Sequence, residues 1–454
     1  MEKRISRKDL TEGAVWQKLL LFFLPIAAGT CIQQLYNAVD GVIVGRFVGT
    51  VALAAVGGSS AQIINLLIGF FVAITSGASV VIAQVYGANR MRDVQIAAGN
   101  AIAVFALLGV LLTAFGLAAS PLMLRLLKTP VDTLEDSILY LRIYFLGVPF
   151  VLVLNMESNM LRAVGDSFSP FLYMVIGCVA NIVLDTVFVV VFGWGIAGVA
   201  IATVAAQVLN MLLLTVKLLT TKESYRMSFQ ELKLKGVYLK NMLRLGIPAG
   251  LQSSMYAVSN MIIQVGVNSL GTVVVASWAM TSKTDGIFWA VSSALGAAIT
   301  SFVGQNLGAG REDRVKLCVK QGMILSTIIT VSLSGLIMLL GMPLLHILTE
   351  DQAVIETTYQ IMTYFVPYYF TWVVIEVLSA VLRGSGDAGR PVIIIGLGIC
   401  LLRVVWIVTL FVKVHTLFVL CLCYPVSWTV TSIVMYLYFR KGGWKTRGTM
   451  IVDR

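Results

Sequence analysis

Long apolar stretches alternate with short polar connectors along the whole of this 454-residue chain. Most stretches exceed the roughly 20 residues that carry a helix through bilayer hydrocarbon. Twelve spans are predicted, at 19–45, 51–85, 94–124, 137–161, 168–192, 195–218, 241–267, 272–305, 317–345, 357–382, 391–412 and 415–439. Barrel strands of about 10 residues would be far shorter, and lipid leaves the backbone no other spanning form. The expected fold class is therefore all-α integral membrane, with twelve transmembrane helices. The longest hydrophilic connector, 219–240, falls near mid-chain. It divides an N-lobe, 1–218, from a C-lobe, 241–454, whose end is a basic tail.

Composition agrees. Hydrophobic residues make up 58% of the chain and charged ones only 12%, against about a quarter charged in a soluble domain. The net charge of +11 reads as basic loops facing anionic lipid, not as a nucleic-acid surface. Of the 33 Lys and Arg residues, only Arg46, Arg125, Lys128, Arg142, Lys283, Arg403 and Lys413 lie away from the termini and the loops after even-numbered spans. The positive-inside rule then places both termini in the cytoplasm of a multi-pass protein of the cell (inner or plasma) membrane. The basic N-terminus leads straight into a span with no small-residue cleavage site, so no removable signal peptide is expected. The six Cys read as small buried hydrophobes. A monomer is expected, with neither cofactor nor bound metal beyond a transported ion.

The halves repeat. Gln84, Gly87, Ala88 and Arg90 recur as Gln305, Gly308, Ala309 and Arg311, 221 positions later. At the same offset, Leu161-Arg162, Gly165-Asp166 and Pro170 match Leu382-Arg383, Gly386-Asp387 and Pro391. An even number of spans per copy makes the copies parallel, as in transporters whose lobes are related by an axis along the membrane normal.

Three segments carry a resemblance: IQQLYNAVDGVIVGRFVG in the first span, the turn GQNLGAGR, and the turn LRGSGD. Together they are similar to the multidrug and toxic compound extrusion (MATE) family over essentially the whole chain. The resemblance implies a two-lobe exporter of amphipathic, often cationic drugs or metabolites, driven by proton or sodium entry.

Ionisable groups within spans are costly and usually functional. Asp40 lies nine residues before Gly49, and Asp185 eight before Gly193. At 1.5 Å per residue both fall about 12–13 Å below the outer ends of their spans. Thr203 has the same depth on the sixth span, and Asn181 shares a helix face with Asp185. Asp40, Asn181, Asp185 and Thr203 thus form the candidate cation-coupling site, and they resemble the N-lobe acidic site of proton-coupled MATE members. Gln34 and Asn37 are expected to extend it. Two carboxylates sharing low dielectric call for a proton or a sodium ion between them, so any Na+ is expected at Asp40 and Asp185.

The C-lobe differs. Gln252, Tyr256, Asn260, Gln264 and Asn268 recur every four residues on the seventh span, a slowly winding polar stripe suited to a cavity. Sodium-coupled MATE members carry acids where this chain has Tyr256 and Trp372. Glu376 is a candidate for substrate or for structure. Lys283 and Arg403, with Asp285 as a neutralising partner, are expected to form a structural or gating network. Glu157 is expected to pair with Arg162. Aromatic and Met side chains are expected in the cavity without individual assignment.

Small amphipathic organic substrates and membrane lipid are therefore the expected partners. Two alternatives stay open: a flippase for lipid-linked saccharides, kept alive by Lys283 and Arg403, and a membrane enzyme. The second is disfavoured because His346 and His415 are the only histidines and no Gly-Lys-Ser/Thr nucleotide loop is present.

Overall fold

The computed structural model describes residues 9–228 and 236–442. Twelve long helical segments follow one another: α1 Val15–Val48, α2 Thr50–Gly87, α3 Met91–Leu126, α4 Val131–Ala163, α5 Phe168–Val191, α6 Gly195–Thr220, α7 Gly236–Ser269, α8 Thr272–Gly308, α9 Glu312–His346, α10 Gln352–Gly384, α11 Gly389–Phe411 and α12 Leu417–Arg440. Eleven are apolar enough throughout to cross a membrane. The exception, α7, is diluted by the polar stripe read from its sequence. It starts at Gly236, inside the stretch expected to be linker; residues 229–235 and the tail beyond 442 lie outside the described residues. The visible part of the linker folds back on the N-lobe. Tyr225 is buried, Met227 N–H donates to Leu218 O at 3.0 Å, and Gln95 donates to Ser224 O at 3.1 Å.

Separate buried clusters fill the two halves, one dominated by α2–α4 and the other by α8–α10. Their turns repeat in conformation. Gly165 and Gly386, 221 positions apart, both take left-handed backbone, at φ 87° and 91°. Each lets the Asp that follows return its N–H to the preceding helix, to Leu161 O and Leu382 O. Asn89 (φ 59°) and Gly310 (φ 70°) are matched in the same way.

The lobes meet along α1 with α8, α2 with α7, and α2 with α8. At the end of the molecule where the basic turns gather, this contact is a reciprocal lock. Gln84 Nε2 donates to Gly384 O at 2.9 Å. Gln305 Nε2 donates to Ala163 O at 2.7 Å. Donors and acceptors are both 221 positions apart. Between them Gly87 and Gly308 cross so closely that a Cβ on either would lie 1.9 Å from the carbonyl oxygen of Gln305 or Gln84. Small residues serve such close helix crossings in membranes.

The chain preceding α1 reinforces the lock from one side. Leu10 is buried, and its N–H donates to Gln305 Oε1 at 3.3 Å. Arg314 donates to Leu10 O at 3.1 Å and to Gly13 O at 2.8 Å. Gln84 Oε1 meets no donor among the described residues.

Candidate functional site

The N-lobe site is assembled from α1, α5 and α6. Asp185 is fully buried, Asn181 and Thr203 nearly so, and Asp40 is half-buried. The Asp40 and Asp185 carboxyls lie within hydrogen-bonding reach of one another. Among the described residues no donor reaches Asp185 Oδ1 or Oδ2, nor Asp40 Oδ1, and the Asn181 amide is likewise unengaged. Thr203 Oγ1 donates to Val199 O at 3.0 Å, which leaves its lone pairs free. Four side chains with unspent oxygens thus converge. Both α1 and α5 widen into a π-helical turn after the acid, at Val44–Val48 and Thr186–Val191, a feature common where helices carry function.

Asn181 and Thr203 also line an N-lobe cavity of about 430 Å³, together with Gln33, Tyr36, Tyr144 and Gln207. The Tyr36 hydroxyl reaches Thr203, and both acids act electrostatically on Tyr36. Gln34 and Asn37 do not join this group. Both are exposed, with Asn37 Nδ2 3.5 Å from Gln34 Oε1, and Gln34 packs towards Gly286 on α8. The reason is angular. Gln34 lies six residues before Asp40, which turns it well off Asp40's face, whereas Tyr36 and Gln33 lie four and seven residues before it, on that face.

The C-lobe holds a second chamber, of about 470 Å³. Tyr256, Asn260 and Gln264 from α7 line it as the stripe predicts, and Arg403 joins from α11. Half of the lining residues are aromatic, Tyr256 being joined by Trp278, Trp289, Phe365, Trp372, Tyr424 and Trp428. Four of the chain's eight Trp therefore face this space. Their signal was present in the sequence as Tyr424 and Trp428 at helical spacing, with Ser427 between.

The expected charge network takes a different form. Arg403 is buried, donates Nε–H to Ser427 Oγ at 3.0 Å, and stacks 4.0 Å above the Tyr424 ring. Asp285 accepts from the Tyr369 hydroxyl and from Trp289. Lys283 is exposed and forms no ion pair with Asp285 among the described residues. A hydroxyl and an indole neutralise the acid at lower desolvation cost than a flexible ammonium would.

Gln252 and Glu376 face a third cavity, of about 380 Å³, between the lobes. Glu376 is held by Arg383 at 3.4 Å. Glu157 takes Thr215 Oγ1 at 2.5 Å in place of Arg162; Arg162 instead faces two of the cavities.

With this geometry in hand, comparison with known proteins is decisive. The sequence profile of the MatE family matches residues 25–187 and 248–409, one stretch in each lobe. The chain belongs to the MATE family. Among curated relatives of this MATE protein, the probable multidrug resistance protein YoeA of Bacillus subtilis is 29% identical over 97% of this chain and 96% of its own. The probable multidrug resistance protein YpnP of the same organism is 32% identical over 68% of each. A solved structure described as the outward-facing conformation of a multidrug resistance MATE family transporter superposes with a TM-score of 0.90, covering 98% of this chain and 100% of that one at 22% identity. As a MATE protein the chain is a multi-pass membrane transporter and not an enzyme, as expected from its sequence.

Proposed function

We propose that this MATE protein exports small amphipathic organic compounds by cation antiport, with Asp40 and Asp185 as the coupling site. One observation carries the reading: a buried Asp185 beside a half-buried Asp40, a carboxyl pair for which no other donor is found among the described residues. Such a pair is stable only with a proton or a cation between the acids. Asn181 and Thr203 add oxygens to the same spot. The charge distribution of the loops supports a cytoplasmic locked end, and on that reading the coupling site loads from outside.

The cycle follows. Ion entry neutralises the acid pair and lets α1 shift at its widened turn. Cargo leaves, the Gln84 and Gln305 lock opens, and the ion is discharged inward. A ligand moves such an equilibrium only through differential affinity for its two states, and the acid pair supplies that difference. The saccharide-lipid alternative lacks a comparable anchor, because the N-lobe site is acidic.

Dye efflux from reconstituted vesicles, under proton and sodium gradients imposed separately, tests this. One gradient should drive efflux in the parent protein, and neither should do so in Asp40→Asn or Asp185→Asn. Gradient-driven efflux retained by both variants would overturn the assignment.

A further inference from the structure

We propose that the C-lobe chamber is a seat for planar aromatic acids, with Arg403 receiving the acid group and the surrounding rings the aromatic body. The proposal begins from an imbalance. Arg403 is buried and gives only its Nε–H to the protein; among the described residues no acceptor meets Nη1 or Nη2. Trp428 is buried too, and its indole N–H has no acceptor. Indole and guanidinium are donors only. Both residues line the same chamber.

No acid answers them. The chamber's one carboxylate, Asp285, is already held by Tyr369 and Trp289. Glu376, on the inter-lobe cavity, is held by Arg383. Asp285 has its acceptors engaged, so Arg403 is the charged group of the chamber with hydrogen bonds left to give. The guanidinium carbon lies 4.0 Å from the Tyr424 ring centroid, and the Nη donors that no described acceptor takes suit a bidentate carboxylate or phosphate.

The wall then selects shape. Trp289 stands edge-on to Trp372, their ring centroids 5.1 Å apart, and Tyr424 lies 5.6 Å from Trp428. Such walls favour a flat ring system. A volume of about 470 Å³ lies within the range of small-molecule sites. A cationic ligand could accept nothing from Arg403, and Asp285 already has its acceptors engaged. This chamber therefore departs from the cationic cargo that family resemblance suggests. That it seats cargo rests on the protein being an exporter, but binding itself needs no ion gradient.

Quenching of tryptophan fluorescence in the purified full-length protein, with three matched probes, tests the proposal. Naphthalene-2-carboxylate should bind at least about tenfold tighter than 2-naphthamide, the value expected of a charge-assisted hydrogen bond. 2-Naphthylmethylammonium should bind more weakly still. Arg403→Gln should bring the carboxylate-to-amide affinity ratio close to one, whereas Arg403→Lys should keep part of the preference. Equal binding of all three probes, or preference for the ammonium, overturns the proposal in the parent protein alone. A carboxylate preference that survives Arg403→Gln overturns it as well. Because these measurements use no gradient, their failure is separable from failure of the antiport scheme.

Discussion

Asp185 in the N-lobe and Asp285 in the C-lobe are both buried aspartates on membrane helices, yet their surroundings are opposite. Asp285 is saturated, with a tyrosine hydroxyl and an indole supplying its hydrogen bonds. Asp185 faces another acid and receives no donor at all. The difference teaches that residue type and depth do not separate a coupling acid from a structural one; the count of donors does. A carboxylate held by two donors has less to gain from an incoming cation. A starved pair has a great deal.

Removing either starved acid should have the largest effect. Asp40→Asn and Asp185→Asn should reduce gradient-driven dye efflux to background while the protein still inserts and stays folded. If Asp285→Asn did the same, the distinction between the lobes would collapse.

Next comes the crossing that holds the lobes together. Gly87→Ala places a methyl 1.9 Å from Gln305 O, so the closed end cannot form as it stands. Ser293, on the inter-lobe cavity, replaced by Cys as a reporter, should then react faster with a membrane-impermeant thiol reagent from the locked side. Gln84→Ala and Gln305→Ala act in the same direction with less force. Gln84→Ala deletes one interlobe hydrogen bond, about 1 kcal/mol and roughly a fivefold population shift; Gln305→Ala also loses the bond from Leu10 and should do somewhat more, and the double variant should approach the product of the two.

Asp285→Asn should cost about 1 kcal/mol in thermal stability, through its weakened bond to Tyr369, and leave ion dependence unaltered. Smallest of all is Gln34→Ala. Exposed and turned from the acids, it should change efflux and stability within a few tenths of a kcal/mol, as measured by the same efflux assay and by thermal unfolding.

The architecture was legible because lipid imposes a length rule that few sequences disguise. Even α7, polar enough to fail a strict hydropathy test, was visible as a helix through its four-residue stripe. Asp40 and Asp185 were legible because depth follows from counting residues to a turn. What escaped was rotation. Gln34, six residues before Asp40, is turned off its face, and Gln33 and Tyr36, on that face, went unread. Partner choice escaped as well. Charge arithmetic paired Asp285 with Lys283 and Glu157 with Arg162, whereas the fold supplies Tyr369 and Thr215, hydroxyls that one-dimensional charge counting cannot see. The aromatic chamber draws walls from α7, α8, α10, α11 and α12, so no single segment announces it.

The lock at the basic end has an ancestral reading. Gln84 reaches the carbonyl of residue 384 and Gln305 that of residue 163, so each copy gives the other the bond it receives. Contacts of that kind are what a twofold dimer of identical subunits makes, where any patch that recognises itself is used twice. A single six-helix half, paired with a second molecule of itself, would already possess both bonds and the glycine crossing between them. Joining the copies into one chain then freed everything away from that seam to diverge, which is how one half came to hold bare acids and the other a ring of tryptophans.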